Sequence, residues 1–205
     1  MAMPKGHNSN APKKGMSTRV DPIKRPEDIR AIKVMLSDSP RNYCLFTLGI
    51  NTNLRASDLC RLTVEQVVNL EPMDEVVLKE KKTGKLRRIN LNESCIKAIK
   101  ELIDKEWRLW KSHRLCNQSL FLGQRGPIKP SAVHALVKSW CKEVGLKGNY
   151  GSHTLRKTWG YQQRVYYEVE LPLLMRCFNH SNEKETLEYL CIQPEEIKAV
   201  YANEI

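Results

Sequence analysis

The sequence predicts a mainly α-helical fold with one small antiparallel β-sheet. Three observations predict it. Apolar residues recur at helical spacing through most of the chain. One stretch changes period: Glu75–Glu80 and Leu86–Leu91 are strand-like and are joined by Lys82-Thr83-Gly84-Lys85, a glycine turn of the hairpin kind. Helix-opening residues precede the periodic segments, with Pro26 and Pro194 at first helical positions and Asn92, Ser152 and Ser181 as caps.

In chain order, the first helix begins near Pro26 and carries Ile29, Ile32, Met35 and Leu36. A more apolar helix covers roughly 40–51, and a short helix starts at Ser57, just past Arg55. Thr63 and Gln66 have capping-box spacing and open another turn. After the hairpin, Asn92 caps a long helix with Ile96, Ile99, Leu102, Ile103, Leu109 and Trp110 on its apolar side. Leu120–Leu122 reads as a short third strand before Gly123 and Gly126. Helices follow near 131–144, 153–166, 171–179, 182–190 and 194–202.

Length and charge narrow the function classes. The 205 residues suit one domain with a tail, and 41% hydrophobic residues suffice for a core. Lys and Arg outnumber Asp and Glu 34 to 23, a net charge of +11. That excess fits a polyanionic partner, since basic groups that neutralise phosphates release condensed counterions. Residues 1–25 carry six basic groups against Asp21 alone, +5 of the total. They form a basic stretch too polar to fold by itself, native tail or expression tag. The seven cysteines make no CxxC pair and show no zinc-ligand spacing, so they read as core residues of a reduced, cytoplasmic protein. No signal-peptide pattern and no membrane-length apolar run is present.

Several polar residues stand out. In His153-Thr-Leu-Arg156, an imidazole and a guanidinium share one face near a helix N-terminus, where backbone N–H groups favour anions. Arg55 sits at a helix junction in Leu54-Arg-Ala-Ser-Asp58, and its planar fork suits phosphate oxygens. Lys82 lies on the hairpin turn beside Lys81 and Lys85, and composition does not choose among the three. His180 follows Phe178-Asn179 at a helix end, and Tyr189 comes nine residues later. Each segment alone reads as readily as structure: a surface pair, a structural Arg–Asp contact, a solvated charge run, a core tyrosine.

The ordered set is more specific. Arg55, the Lys82 hairpin, Ser152-His-Thr-Leu-Arg-Lys-Thr, His180 and Tyr189 together resemble the tyrosine recombinase and phage integrase family over roughly residues 26–202. The chain departs from the usual pattern with Phe178-Asn179 where Leu-Gly is common and Asp58 where Glu is frequent. The resemblance implies the recombinase catalytic-domain fold over 26–205, double-stranded DNA as partner, and no metal or other cofactor. It also implies a homotetramer on paired sites, with a monomer in free solution as the alternative. It implies Tyr189 as nucleophile, forming a 3′-phosphotyrosine, with Arg55, Arg156 and His180 on the phosphate. Lys82 would then protonate the leaving 5′-oxygen, and His153 is the best-placed base. No core-binding domain precedes Arg55 in this sequence. Residues 194–205, with Ile197, Val200 and Tyr201, form a short amphipathic segment that docks in cis or on a neighbouring subunit. Two other readings share these residues: a type IB-like topoisomerase, and a DNA-binding accessory protein without turnover.

Overall fold

A computed structural model describes residues 19–111, 118–191 and 201–202, with side chains described outside 106–111. Helices α1 (Pro26–Met35), α2 (Pro40–Asn51), α3 (Ala56–Leu59) and α4 (Val64–Val67) come first. Strands β1 (Glu75–Lys79) and β2 (Leu86–Asn90) precede α5 (Glu93–Lys111). The two-residue strands β3 (Leu122–Gly123) and β4 (Gly126–Pro127) lead to α6 (Pro130–Glu143), α7 (Ser152–Val165), α8 (Leu171–Phe178) and α9 (Glu183–Leu190). The mainly helical class with a small antiparallel sheet is what the sequence predicts.

Helix α2 is the central element. Cys44, Leu45, Phe46, Thr47, Leu48 and Gly49 are all buried in it, and it packs against both α5 and α7. Nearly every position of its middle turns is apolar or small, the composition of a helix covered on all sides. Strands β1 and β2 pair antiparallel from Glu75↔Asn90 to Lys79↔Leu86, so the intervening turn falls on Lys81–Lys85. The pattern of β1 buries Val76 and exposes Val77, and Ile89 opposite Val76 completes the inner face. A smaller apolar cluster of Leu174, Phe178 and Leu190, with Trp159 and Tyr189 against it, joins α7, α8 and α9.

Four local expectations are corrected. Leu120 and Phe121 are core residues, and the short strand starts at Leu122 and pairs with β4, apart from the β1–β2 hairpin. Helix α3 starts at Ala56, with Arg55 as its N-cap. Gly151 replaces Ser152 as the N-cap of α7; its N–H donates to Thr154 Oγ1 at 3.1 Å, and a Cβ there would come within 2.4 Å of the His134 ring. Asn182 replaces Ser181 at α9, its side-chain oxygen accepting the Glu185 N–H at 2.9 Å. The Thr63–Gln66 capping box forms in both directions, and Asn92 Oδ1 accepts the Cys95 N–H at 3.0 Å.

The packed body also begins before Pro26. Ile23 is 1% exposed and its N–H donates to Thr158 Oγ1 at 2.8 Å, while Asp21 Oδ2 accepts from the Asn149 N–H at 2.9 Å. One isoleucine among charged neighbours has no periodicity to announce it, so the expected flexible stretch through residue 25 is packed over 19–25. Residues 1–18 lie outside the described residues. So do the side chains of Leu109 and Trp110, Cys116, and the expected helix at 194–202 except for 201–202.

Candidate active site

Four elements bring five of the six predicted residues into one cluster. The N-terminus of α7 supplies His153 and Arg156, the N-cap of α3 supplies Arg55, the turn after α8 supplies His180, and α9 supplies Tyr189. Helix α7 places His153 and Arg156 on one face by their spacing of three. Asn179 ends α8 in the left-handed region at φ 58°, turning the chain so that His180 folds back toward α9. Helical continuation past Phe178 would have carried His180 away.

The tyrosine and histidines are in contact. His153 Nδ1 lies 3.2 Å from Tyr189 Oη. The neutral imidazole with its proton on Nε2 can accept the phenol O–H there. Desolvation of the ring lowers the His153 pKa, and the like charges of Arg156, Lys157, Arg55 and Lys82 lower it further, so the neutral form prevails near pH 7. Burial pushes the Tyr189 phenol up, with Arg156 and Arg55 opposing it. The resting hydroxyl is therefore protonated and beside a neutral acceptor. His180 Nδ1 is 3.0 Å from Thr186 Oγ1, and its ring stacks on Phe178 at 5.0 Å with the planes 13° apart. When Thr186 donates to Nδ1, Nε2 carries the proton and is free to donate; its nearest carboxylate oxygen, Glu185 Oε1, is 3.9 Å away.

The two arginines are held differently. Arg156 is 2% exposed; Nη1 donates to the Asn53 carbonyl at 2.8 Å and Nη2 to the Phe178 carbonyl at 3.0 Å. Burial lowers its pKa to about 10, against the pull of Tyr189, so it stays charged at neutral pH. It thereby ties the loop before Arg55 to the end of α8. Arg55 Nη1 approaches Glu80 Oε1 at 2.7 Å, yet its hydrogen is not directed at an acceptor, leaving a buried donor without a well-formed bond.

Lys82 stands apart from this cluster. It is exposed on the hairpin turn and, among the described residues, makes no hydrogen bond or ion pair, although its charge reaches His153. Asp58, 1% exposed, accepts the Lys81 N–H at 2.8 Å and so moors the hairpin's root to the helix after Arg55.

Sequence reasoning missed four contributors. Glu80 is buried between Arg55 and Arg87 and accepts from Thr83 Oγ1 at 2.7 Å. Against the burial that would raise it, Thr83, Arg55 and Arg87 hold its carboxyl at about 2. Its signal was available: Glu80 follows the inward alternation of Val76 and Leu78, and an acid at an inward position needs a partner. Arg87, the second cation on Glu80, also donates to the Cys177 carbonyl at 2.9 Å, joining β2 to α8. Thr186 orients His180. Lys157 lies four positions after His153, on the same helix face, with its Nζ 5.0 Å from the Tyr189 ring centroid.

A crevice of about 310 Å³ is lined by His153, Lys157 and Tyr189 with Arg19, Val20, Glu185 and Glu188. A larger groove of about 470 Å³ runs along Arg87, Arg88, Arg176 and Asn179, but none of the six predicted residues lines it. Among the described residues no helix is long and apolar enough to cross a membrane.

Comparison with known proteins identifies the family and the fold. The sequence model described as "Phage integrase family" matches residues 25–196. The chain belongs to the phage integrase family. It is 33% identical to the probable integrase/recombinase YoeC of Bacillus subtilis (strain 168), over 89% of this chain and 95% of that protein. It is 29% identical to a tyrosine recombinase XerC of Caldanaerobacter subterraneus subsp. tengcongensis, over 77% of this chain but only 43% of that protein. Among solved structures it resembles the XerA recombinase, with TM-score 0.70 and 19% identity over 94% of this chain and 65% of that one. The XerH recombinase bound to its palindromic difH substrate gives the same TM-score and identity, with 56% of that chain covered. The fold is the tyrosine recombinase catalytic-domain fold. The chain spans nearly all of YoeC but only 43% to 65% of the other relatives named.

Proposed function

We propose that this chain is a site-specific DNA recombinase that cleaves and rejoins duplex DNA through a 3′-phosphotyrosine on Tyr189. The observation that carries the reading is the 3.2 Å contact of His153 Nδ1 with Tyr189 Oη inside a cluster of cations. Tyr189 Oη attacks phosphorus, the O–P bond forms, and the bond to the 5′-oxygen breaks. His153 accepts the phenol proton, and Lys82, swung in on the hairpin, gives a proton to the leaving oxygen. Arg55, Arg156 and Nε2 of His180 meet the non-bridging oxygens, whose charge grows in the phosphorane. A 5′-hydroxyl then attacks the phosphotyrosine, the new P–O5′ bond forms, the bond to Tyr189 Oη breaks and the phenol takes back its proton; because the intermediate conserves the bond energy, rejoining needs no ATP.

Duplex DNA as partner and a tetramer on paired sites are part of this proposal; the DNA is supported by relatives named as recombinases and integrases. Solved structures of similar fold are bound to DNA: XerH on its difH substrate, a transposon integrase on transposon-end DNA, and a λ integrase dimer on a core site. The cytoplasm is the proposed location, in keeping with six free cysteines among the described residues. Tyr189→Phe tests the reading. It removes one oxygen and little packing, so the fold and DNA affinity persist while covalent adducts on nicked suicide duplexes disappear. Adducts at the wild-type yield would assign the nucleophile elsewhere. Paired-site products from two duplexes support the recombinase, whereas relaxation of one supercoiled duplex without them would favour a topoisomerase.

A further inference from the structure

Lys157 is 5% exposed, yet among the described residues no carboxylate pairs with it. Its Nζ lies 2.9 Å from Cys191 Sγ, just past the end of α9, and 5.0 Å from the centroid of the Tyr189 ring. Burying an ammonium without an acid is costly, so such a position calls for a compensating gain. The crevice that exposes Tyr189 is lined by Lys157 as well. Cys191 is itself in the left-handed region at φ 56°, which turns its thiol back under α9 toward the lysine.

We propose that Lys157 is a positioning residue for strand cleavage: anchored by Cys191, its ammonium lies on the Tyr189 ring and stabilises the negative charge the phenol takes up as it attacks. The inference rests on Tyr189 as the nucleophile. A cation near an aromatic face is attracted by the ring's quadrupole, more strongly where water is excluded. The attraction grows when the ring becomes a phenolate, because the new charge is shared between oxygen and ring. Arg55 and Arg156 are assigned to the phosphate and are drawn toward its oxygens once DNA is bound. Lys157 does not face the phosphate in this way, and its charge stays with the tyrosine.

Lys157 also adds to the repulsion that keeps His153 neutral and able to accept the phenol proton. The other ionisable groups around Tyr189 are His153 and Arg156 from α7, Arg55 from the start of α3, His180 from the turn after α8, Cys191 from its own helix end, and the crevice-lining Glu185 and Glu188 of α9 with Arg19, which pairs with Glu188. Of these cations, Lys157 is the one whose Nζ sits over the Tyr189 ring.

The test is carried out on the full chain with 3-fluorotyrosine at position 189, whose ¹⁹F signal reports the phenol directly. Lys157→Met is expected to raise the titration midpoint by about one pH unit and to slow adduct formation at neutral pH about tenfold. DNA affinity is expected to stay unchanged. Lys157→Arg, which keeps the charge, is expected to restore both midpoint and rate. Should Lys157→Met not fold, Lys157→Gln, which keeps a donor for Cys191 Sγ, is read in the same way. An unchanged midpoint in the neutral variant overturns the proposal, as does a midpoint that stays raised in a folded Lys157→Arg protein. Failure of the nucleophile assignment would look different: Tyr189→Phe would still form adducts, while the ¹⁹F midpoint would continue to respond to Lys157.

Discussion

Replacing Gly160 by alanine tests how tightly packing behind the site controls the chemistry in front of it. Gly160 lies in α7 one turn past Arg156, and a Cβ there would stand 2.4 Å from Phe178 Cζ and 2.8 Å from Leu190 Cδ2. Restoring an ordinary carbon–carbon separation of about 3.5 Å moves the ring edge by about 1 Å. Phe178 has nowhere soft to go. It is fully buried, with Trp159 edge-on at 5.5 Å, His180 stacked at 5.0 Å, Tyr189 at 5.1 Å and the Arg156 guanidinium at 5.2 Å. Overpacking of this kind costs roughly 1–3 kcal/mol, offset by up to about 1 kcal/mol from the better helix propensity of alanine. The net loss of about 1–2 kcal/mol lowers Tm by roughly 2–8 °C in a domain of this size. Catalysis is expected to fall further than stability, because a shift of about 1 Å in reacting groups costs on the order of a hundredfold. Thermal melts together with adduct formation on a suicide duplex, well below Tm, measure both. A protein that melts at or above the wild-type temperature and cleaves at the wild-type rate would refute the argument that Phe178 is the wall against which His180 and Tyr189 are set.

Three further outcomes are expected. Lys82→Ala should cleave ordinary DNA poorly and recover on DNA with sulfur at the bridging 5′ position, since a thiolate leaves without a proton; the same recovery in Lys81→Ala or Lys85→Ala instead would move the acid along the turn. Glu80, held at about 2 against an ordinary 4.5, contributes stability that is complete above about pH 4.5 and is lost as pH falls toward 2. Glu80→Gln should therefore flatten the acid limb of a denaturation-versus-pH curve and cost on the order of 3 kcal/mol at pH 7; an unchanged acid limb would mean that the Arg55–Glu80–Arg87 cluster contributes little. Removing residues 1–18 deletes Lys5, Lys13 and Lys14, and if these contact DNA phosphates the slope of log K against log salt should flatten by about two to three units. Isotherms with the same slope in both proteins would mark the segment as idle in binding.

Local signals account for most of what could be read without the tertiary structure. Proline at first positions, the Thr63–Gln66 box and the period change at Glu75 depend on neighbours within a few residues, and α1, α2, α4 and the hairpin lie where those signals put them. Caps were less legible, because Ser152 and Asn182 both follow residues able to cap. The choice of Gly151 comes from the His134 ring, seventeen residues away in sequence, which leaves no room for a Cβ. The residues proposed as reacting groups were singled out by their order and by the spacing of three between His153 and Arg156.

Their environment was not. That Arg156 is buried beneath Asn53 and Phe178, that Glu80 binds Arg55, and that Lys157 lies on the Tyr189 ring are contacts between elements far apart in the chain. A sequence determines which side chains carry charge or a nucleophile and which face of a helix they share. Burial and the distance to another element's charges depend on how whole helices pack, and these decide protonation. His153 is for that reason a neutral acceptor rather than one more cation: partial desolvation of its ring lowers its pKa, and the positive charges of Arg156, Lys157 and Arg55, brought near it by the fold, lower it further.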